Sequence, residues 1–235
     1  MILVIIGIEG SGHHFVLDLF RNSSSNLTIE SHTDTQNQQN LNDEILNIYL
    51  KVFPDENISN NFKSDEISEF NSFYEKFEIL INKYSHQPDI LQILDLSIPF
   101  NKGKNRHLRV VDYFKLSKLL NPINTKIIYL KRDLVSVSRS VYSRKIEDSI
   151  IEACYSTQNS LTMFNQATKY FTKFPQHIIE YNKFSKDIDV EISLLEQFFD
   201  NKINFDKGQF KPREVNIKND EFFKSFWNDR ESYFL

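Results

Sequence analysis

Met1-Ile-Leu-Val-Ile-Ile-Gly7-Ile-Glu9-Gly10-Ser11-Gly12-His13-His14 decides the reading of this chain: a short apolar run empties into three closely spaced glycines and then into a helix-compatible segment. Ile2 to Ile6 predicts a buried strand, and the glycines let the backbone turn sharply and bring its N–H groups to an anion. The helix that follows adds the positive end of its dipole. These features predict a phosphate-binding loop, with Glu9, Gly10, Ser11, Gly12, His13 and His14 as the candidate binding residues. Three of the five glycines in all 235 residues lie within this stretch, so their placement is positional rather than compositional.

The spacing Gly7-x4-Gly12 is that of a P-loop, but His13 and His14 stand where a nucleotide-hydrolysing loop carries Lys and Ser or Thr. Without that Lys for the β- and γ-phosphates, or the hydroxyl for a metal ion, the loop suits a ligand with fewer phosphates. A kinase-like reading shares the strand, loop and helix but lacks those two side chains.

Composition narrows the alternatives. The net charge of −4 and a pI near 5.9 exclude a general nucleic-acid binder, so any basic patch must be local. A single cysteine, Cys154, leaves no internal disulfide and no thiolate zinc set, and the six histidines show no metal-ligand spacing. The expectation is no metal site. No stretch approaches the ~20 apolar residues of a membrane span, and the N-terminal run is too short for a signal peptide. A soluble, cytoplasmic protein is expected.

Outward from the loop, residues 11–21 predict a helix and Leu27–Ser31 a short strand, followed by a polar stretch from Thr33 to Asn42. Helical patterns run from about Leu41 to Phe53 and from Asp65 to Tyr84; the second has Phe70, Phe73, Phe77, Leu80 and Tyr84 at steps of three and four. Ile90–Leu96 predicts a strand that breaks at Ser97-Ile98-Pro99. A basic loop (Lys102 to Arg109), a helix from Val110 to Leu120 and a β-branched strand, Lys126–Leu130, follow. Strands alternating with helices predict one α/β domain over residues 1–235, a P-loop-type three-layer fold whose central parallel sheet is flanked by helices, with a helical insertion at about 41–87. Ligands of such sheets sit at the carboxyl ends of the strands, where both the glycine loop and Lys131-Arg132 fall.

Lys126-Ile-Ile-Tyr-Leu-Lys-Arg132-Asp-Leu-Val-Ser-Val-Ser-Arg-Ser140 resembles the 3′-phosphate-binding segment of sulfotransferases that use 3′-phosphoadenosine 5′-phosphosulfate (PAPS). In that family a strand ends in Arg and a Ser eight residues later shares the 3′-phosphate; Arg132 and Ser140 have this spacing. An Arg offers a planar, permanently charged fork to phosphate, and the hydroxyl completes its shell. The resemblance implies that residues 9–14 form the 5′-phosphosulfate loop. Ser11 and Gly12 match the family's Ser-Gly-Thr-Thr, whereas Gly10 stands at its basic position and His13 and His14 at its two Thr positions. The family's basic residue stabilises charge developing as sulfuryl leaves, and a protonated His13 or His14 is the candidate to supply it.

The family's cytosolic members often carry a His two residues before the Pro at the end of the preceding strand, where this chain has Ser97. Other candidates for the base are Glu30, His32, Asp34 and His107. Glu30 and His32 are favoured because alternation puts them on one side of a strand. Gln176–Phe184 with Asp189–Phe199 resembles the family's closing strand and helix, and Lys207-Gly208 its basic element, though Asp206 replaces the expected Arg. The resemblance implies PAPS as sulfuryl donor and a hydroxyl or amine acceptor on an unidentified small molecule, glycan or peptide. The alternatives are a P-loop small-molecule or nucleoside kinase and a catalytically weak nucleotide-binding pseudoenzyme.

Overall fold

The computed structural model describes residues 1–8, 10–31, 40–52, 66–98, 113–209 and 220–228. The apolar run at the start forms β1 (Ile2–Ile8), and α1 (His13–Arg21) follows the glycine turn. Two short strands come next, β2 (Ser24–Ser25) and β3 (Thr28–Glu30), then α2 (Leu41–Val52), α3 (Glu66–Ser85) and β4 (Ile90–Ile98). The second half runs α4 (Tyr113–Leu119), β5 (Thr125–Lys131), α5 (Leu134–Ser143), α6 (Ile150–Tyr170), β6 (Gln176–Glu180), α7 (Tyr181–Lys186), α8 (Ile188–Phe198), β7 (Ile203–Asn204) and α9 (Asp220–Asn228). Local chemistry marks several helix starts. Asn40 accepts the Asp43 N–H at the head of α2, Asp133 accepts the Ser136 N–H at the head of α5, and Ser149 with Glu152 forms a capping box on α6.

The main sheet is parallel with strand order β3-β4-β1-β5-β6, and β2 pairs antiparallel with β7 beside it. The two faces of β1 feed two cores, as a doubly covered parallel strand requires. Ile2, Val4, Ile6 and Ile8 pack with residues of α2 to α6 and α9, including Phe73, Phe77, Leu116, Val137, Phe164 and Trp227. Leu3 and Ile5 pack with α1, α7 and α8 through Val16, Phe20, Phe184, Leu195 and Phe199. The result is a three-layer α/β domain, helices on both sides of one sheet, as the alternation of elements predicts.

Some boundaries differ from the sequence expectation. Ser97 and Ile98 do not break β4; they continue it, in register with Gly7 and Ile8 of β1. Helix α2 and helix α3 pack their apolar stripe, with Phe73 and Phe77 fully buried, onto the sheet as part of the connection from β3 to β4. The second half of the chain also holds α6 and α9, which the sequence reading did not assign, although Phe222, Phe223, Phe226 and Trp227 of α9 recur at helical steps; α9 is fixed by Trp227, whose indole N–H donates to Ser138 Oγ at 3.0 Å within the core.

Candidate functional site

Strand β1 connects onward to one side of the sheet and its neighbour β5 to the other, so a crevice opens between their carboxyl ends. The glycine loop leaves β1 there, and Lys131-Arg132 ends β5 there. Gly10 and Gly12 have φ of 91° and 111°, a left-handed conformation that disfavours side chains bearing a Cβ. Space is short as well: a Cβ on Gly10 would come within 3.3 Å of Ser140 Oγ, and one on Gly12 within 3.0 Å of the Tyr181 ring.

Arg132 Nη1 donates to the Gly10 carbonyl at 3.2 Å, and its guanidinium lies 4.4 Å from the centre of the Tyr181 ring. Burial pulls the Arg132 pKa down from its ordinary value, with Tyr181 and Asp133 acting in the opposite direction; an arginine stays charged through such a shift. Asp133 is engaged by the α5 N-terminus and by Asn182 Nδ2 at 3.0 Å. A cavity of about 320 Å³ opens beside these groups, lined by Lys131, Arg132, Asp133, Glu180 and Asn182. A larger hollow of about 780 Å³ lies elsewhere, lined by Tyr142, Asp148, Ser149, Ile150, Ile151, Glu221 and Phe222. Among the described residues its lining holds carboxylates and no cation, whereas the smaller cavity presents Lys131 and Arg132, which makes the smaller one the better anion site.

Beneath the loop the side chains are almost wholly enclosed. His13, the first residue of α1, is 4% exposed and its Nδ1 contacts the Asp95 carboxylate of β4, itself 2% exposed. Ser11 Oγ is buried and meets no hydrogen-bond partner among the described residues. His14, one position further along α1, is exposed.

Of the residues singled out from the sequence, Gly10, Ser11, Gly12, His13, Arg132 and Ser140 come together, and Arg132 and Ser140 both meet Gly10. Glu30 does not join them. Its register partner is Gln92, which also stands opposite Ile2, five strand positions before Gly7. That is ~16 Å along the sheet. Its carboxylate there accepts from Gln92 Nε2 at 2.5 Å. Glu9, His32, Asp34, His107 and the basic loop at 102–109 lie outside the described residues. Lys207 is ion-paired with Asp189 of α8. Sequence reasoning missed Asp95, although a lone carboxylate within Ile90-Leu-Gln-Ile-Leu-Asp-Leu-Ser-Ile98 was a visible signal: a charge in a doubly covered strand needs a partner. It also missed Tyr181 as the wall shared by Arg132 and Gly12.

Among the described residues no group of three or more potential ligands could hold a metal ion, and no helix is long and apolar enough to cross a membrane. No family model and no curated protein sequence matches the chain. Among solved structures it is similar to the sulfotransferase domain from the Synechococcus PCC 7002 olefin synthase, with a TM-score of 0.45 and 11% identity over 92% of this chain and 78% of that one. A sulfotransferase domain from the curacin biosynthetic pathway is similar at a TM-score of 0.44 and 14% identity, over 91% and 78% of the two chains.

Proposed function

We propose that this chain is a sulfotransferase that binds PAPS at the β1–β5 crevice and transfers its sulfuryl group to a hydroxyl or amine. One observation carries the reading: Arg132, directly after β5, and Ser140 from α5, eight residues apart in sequence, both converge on Gly10 of the glycine loop. In this reading Arg132 and Ser140 hold the 3′-phosphate while the loop N–H groups and Ser11 hold the 5′-phosphosulfate. The donor supplies an activated sulfur–oxygen bond to a good phosphate leaving group. The acceptor oxygen or nitrogen attacks sulfur, the bond from sulfur to the phosphate oxygen breaks, and the acceptor proton passes to a base. His32 remains the base candidate; Glu30 sits too far down the sheet. In this reading His13 supplies the charge needed at the departing phosphate, the role the family gives to a basic residue.

A kinase reading is less favoured because positions 13 and 14 lack the P-loop Lys and hydroxyl, and the buried carboxylate of β4 is engaged by His13. Calorimetric titration with 3′-phosphoadenosine 5′-phosphate tests the proposal. The native chain is expected to bind, and Arg132→Ala to weaken binding roughly 10- to 100-fold, as loss of a charge-assisted contact of about 1.5–3 kcal/mol implies. Arg132→Lys, which keeps charge but not the fork, should fall between them. A folded native protein that ignores this nucleotide, or that prefers ATP with magnesium, overturns the assignment.

A further inference from the structure

The odd-numbered residues of β1 and the side chain of Asp95 point to the sheet face covered by α1. His13 lies on that face with Nδ1 on Asp95. Its other ring nitrogen turns toward the loop: a Cβ placed on Gly7 would stand 2.8 Å from His13 Nε2 and 2.5 Å from Ser11 Oγ. The imidazole edge and the buried hydroxyl therefore converge on one spot over the Gly7 backbone, at the inner wall of the glycine turn. An ionised carboxylate only accepts, so its contact with Nδ1 requires the proton on that nitrogen and leaves Nε2 as the end that faces the loop. A phosphate oxygen brought to this end of the ring from the loop would meet an N–H and a positive charge when the ring is protonated.

We infer that Asp95 is a positioning residue of the anion site: it fixes the orientation and tautomer of His13 so that His13 Nε2 and Ser11 Oγ form an oxyanion-binding pair, replacing the cationic side chain the loop lacks. This rests on the reading of the loop as a phosphosulfate cradle and names the group that supplies its charge. Ser11 Oγ gives the independent sign of a ligand, being 3% exposed and without a partner among the described residues.

The test is side-chain ¹⁵N NMR of the full chain, with the His13 resonances assigned by His13→Gln, during titration with inorganic pyrophosphate and, separately, with 3′-phosphoadenosine 5′-phosphate. In the native protein pyrophosphate is expected to move the His13 Nε2 signal to the protonated range while Nδ1 stays protonated. Asp95→Asn should remove that response and weaken pyrophosphate binding about tenfold or more, which a purely structural anchor would not do. Native protein whose His13 signals ignore both anions overturns the inference, and this arm needs no variant to fold. A response to pyrophosphate with no nucleotide binding supports the His13–Asp95 role and removes the sulfotransferase reading. Arg132-dependent nucleotide binding that leaves His13 unmoved does the reverse.

Discussion

Gly7→Ala separates crowding beneath the loop from backbone conformation, because Gly7, unlike Gly10 and Gly12, does not have a positive φ. The added methyl would lie 2.5 Å from Ser11 Oγ, 2.8 Å from His13 Nε2 and 2.9 Å from Leu130 Cβ, all closer than ordinary van der Waals contact. Leu130 cannot retreat, since its backbone is held in register with Gly7 across the sheet. Overpacking of this kind costs about 1–3 kcal/mol. If His13 yields instead, it abandons Asp95, and breaking a buried charged contact costs about 3–5 kcal/mol. At roughly 2–4 °C per kcal/mol for a chain of this size, the melting temperature should fall by about 6–20 °C for the larger cost. The control is Gly208→Ala, whose Cβ among the described residues meets the Asp206 carboxylate alone, at 3.2 Å, and which should melt within a few degrees of the parent. Thermal unfolding followed by nucleotide titration of the folded fraction reads both effects. A Gly7→Ala protein with unchanged melting and unchanged affinity would refute the packing described beneath the loop.

Helix α2 and helix α3 are clamped by Tyr84, whose hydroxyl donates to Glu44 at 2.6 Å, and by Lys83, also on Glu44 at 2.9 Å. Burial, then Glu44, raises the Tyr84 pKa from 10 to about 12, so its contribution is complete below pH 10 and is lost as pH climbs toward 12. Tyr84→Phe should cost about 1–2 kcal/mol at pH 7 by urea unfolding, the difference shrinking across that alkaline window. His177, stacked on Phe198 with ring centres 5.3 Å apart, has its pKa lowered from 6.5 by burial. The unfolded chain binds that proton more readily, so stability should fall as pH drops below 6.5, and His177→Phe should flatten the acid limb of a melting-against-pH curve. Trp227→Phe deletes the bond to Ser138 and leaves a buried hydroxyl without it, an expected loss of about 1–3 kcal/mol visible in thermal melts.

The loop was legible because strand, glycines and helix are neighbours in sequence and each leaves a local mark. Arg132 and Ser140 were legible for a similar reason: one strand end and the following helix hold both. The contact of His13 with Asp95 spans 82 positions, and only the pairing of β1 with β4 creates it. Alternation along a strand says which residues share a side and nothing of the height of Glu30 on the sheet, which the Gln92 pairing sets. Helix α6 escaped notice because part of its buried face is polar, with Ser156, Thr157 and Ser160 enclosed, so hydropathy shows no clean stripe.

The place of β1 between β4 and β5 has a consequence during synthesis. Its seven residues, Ile-Leu-Val-Ile-Ile-Gly-Ile, carry no charge, and they wait with both edges open until Ile90–Ile98 and then Thr125–Lys131 have been made. At ~5–20 residues per second that interval is on the order of ten seconds. An uncharged strand with this β-propensity is an aggregation hazard for as long as it stays unpaired. A ribosome-bound chain halted before Thr125 should therefore recruit holding chaperones through this segment, and one released past Lys131 should shed them as the sheet closes around its first strand.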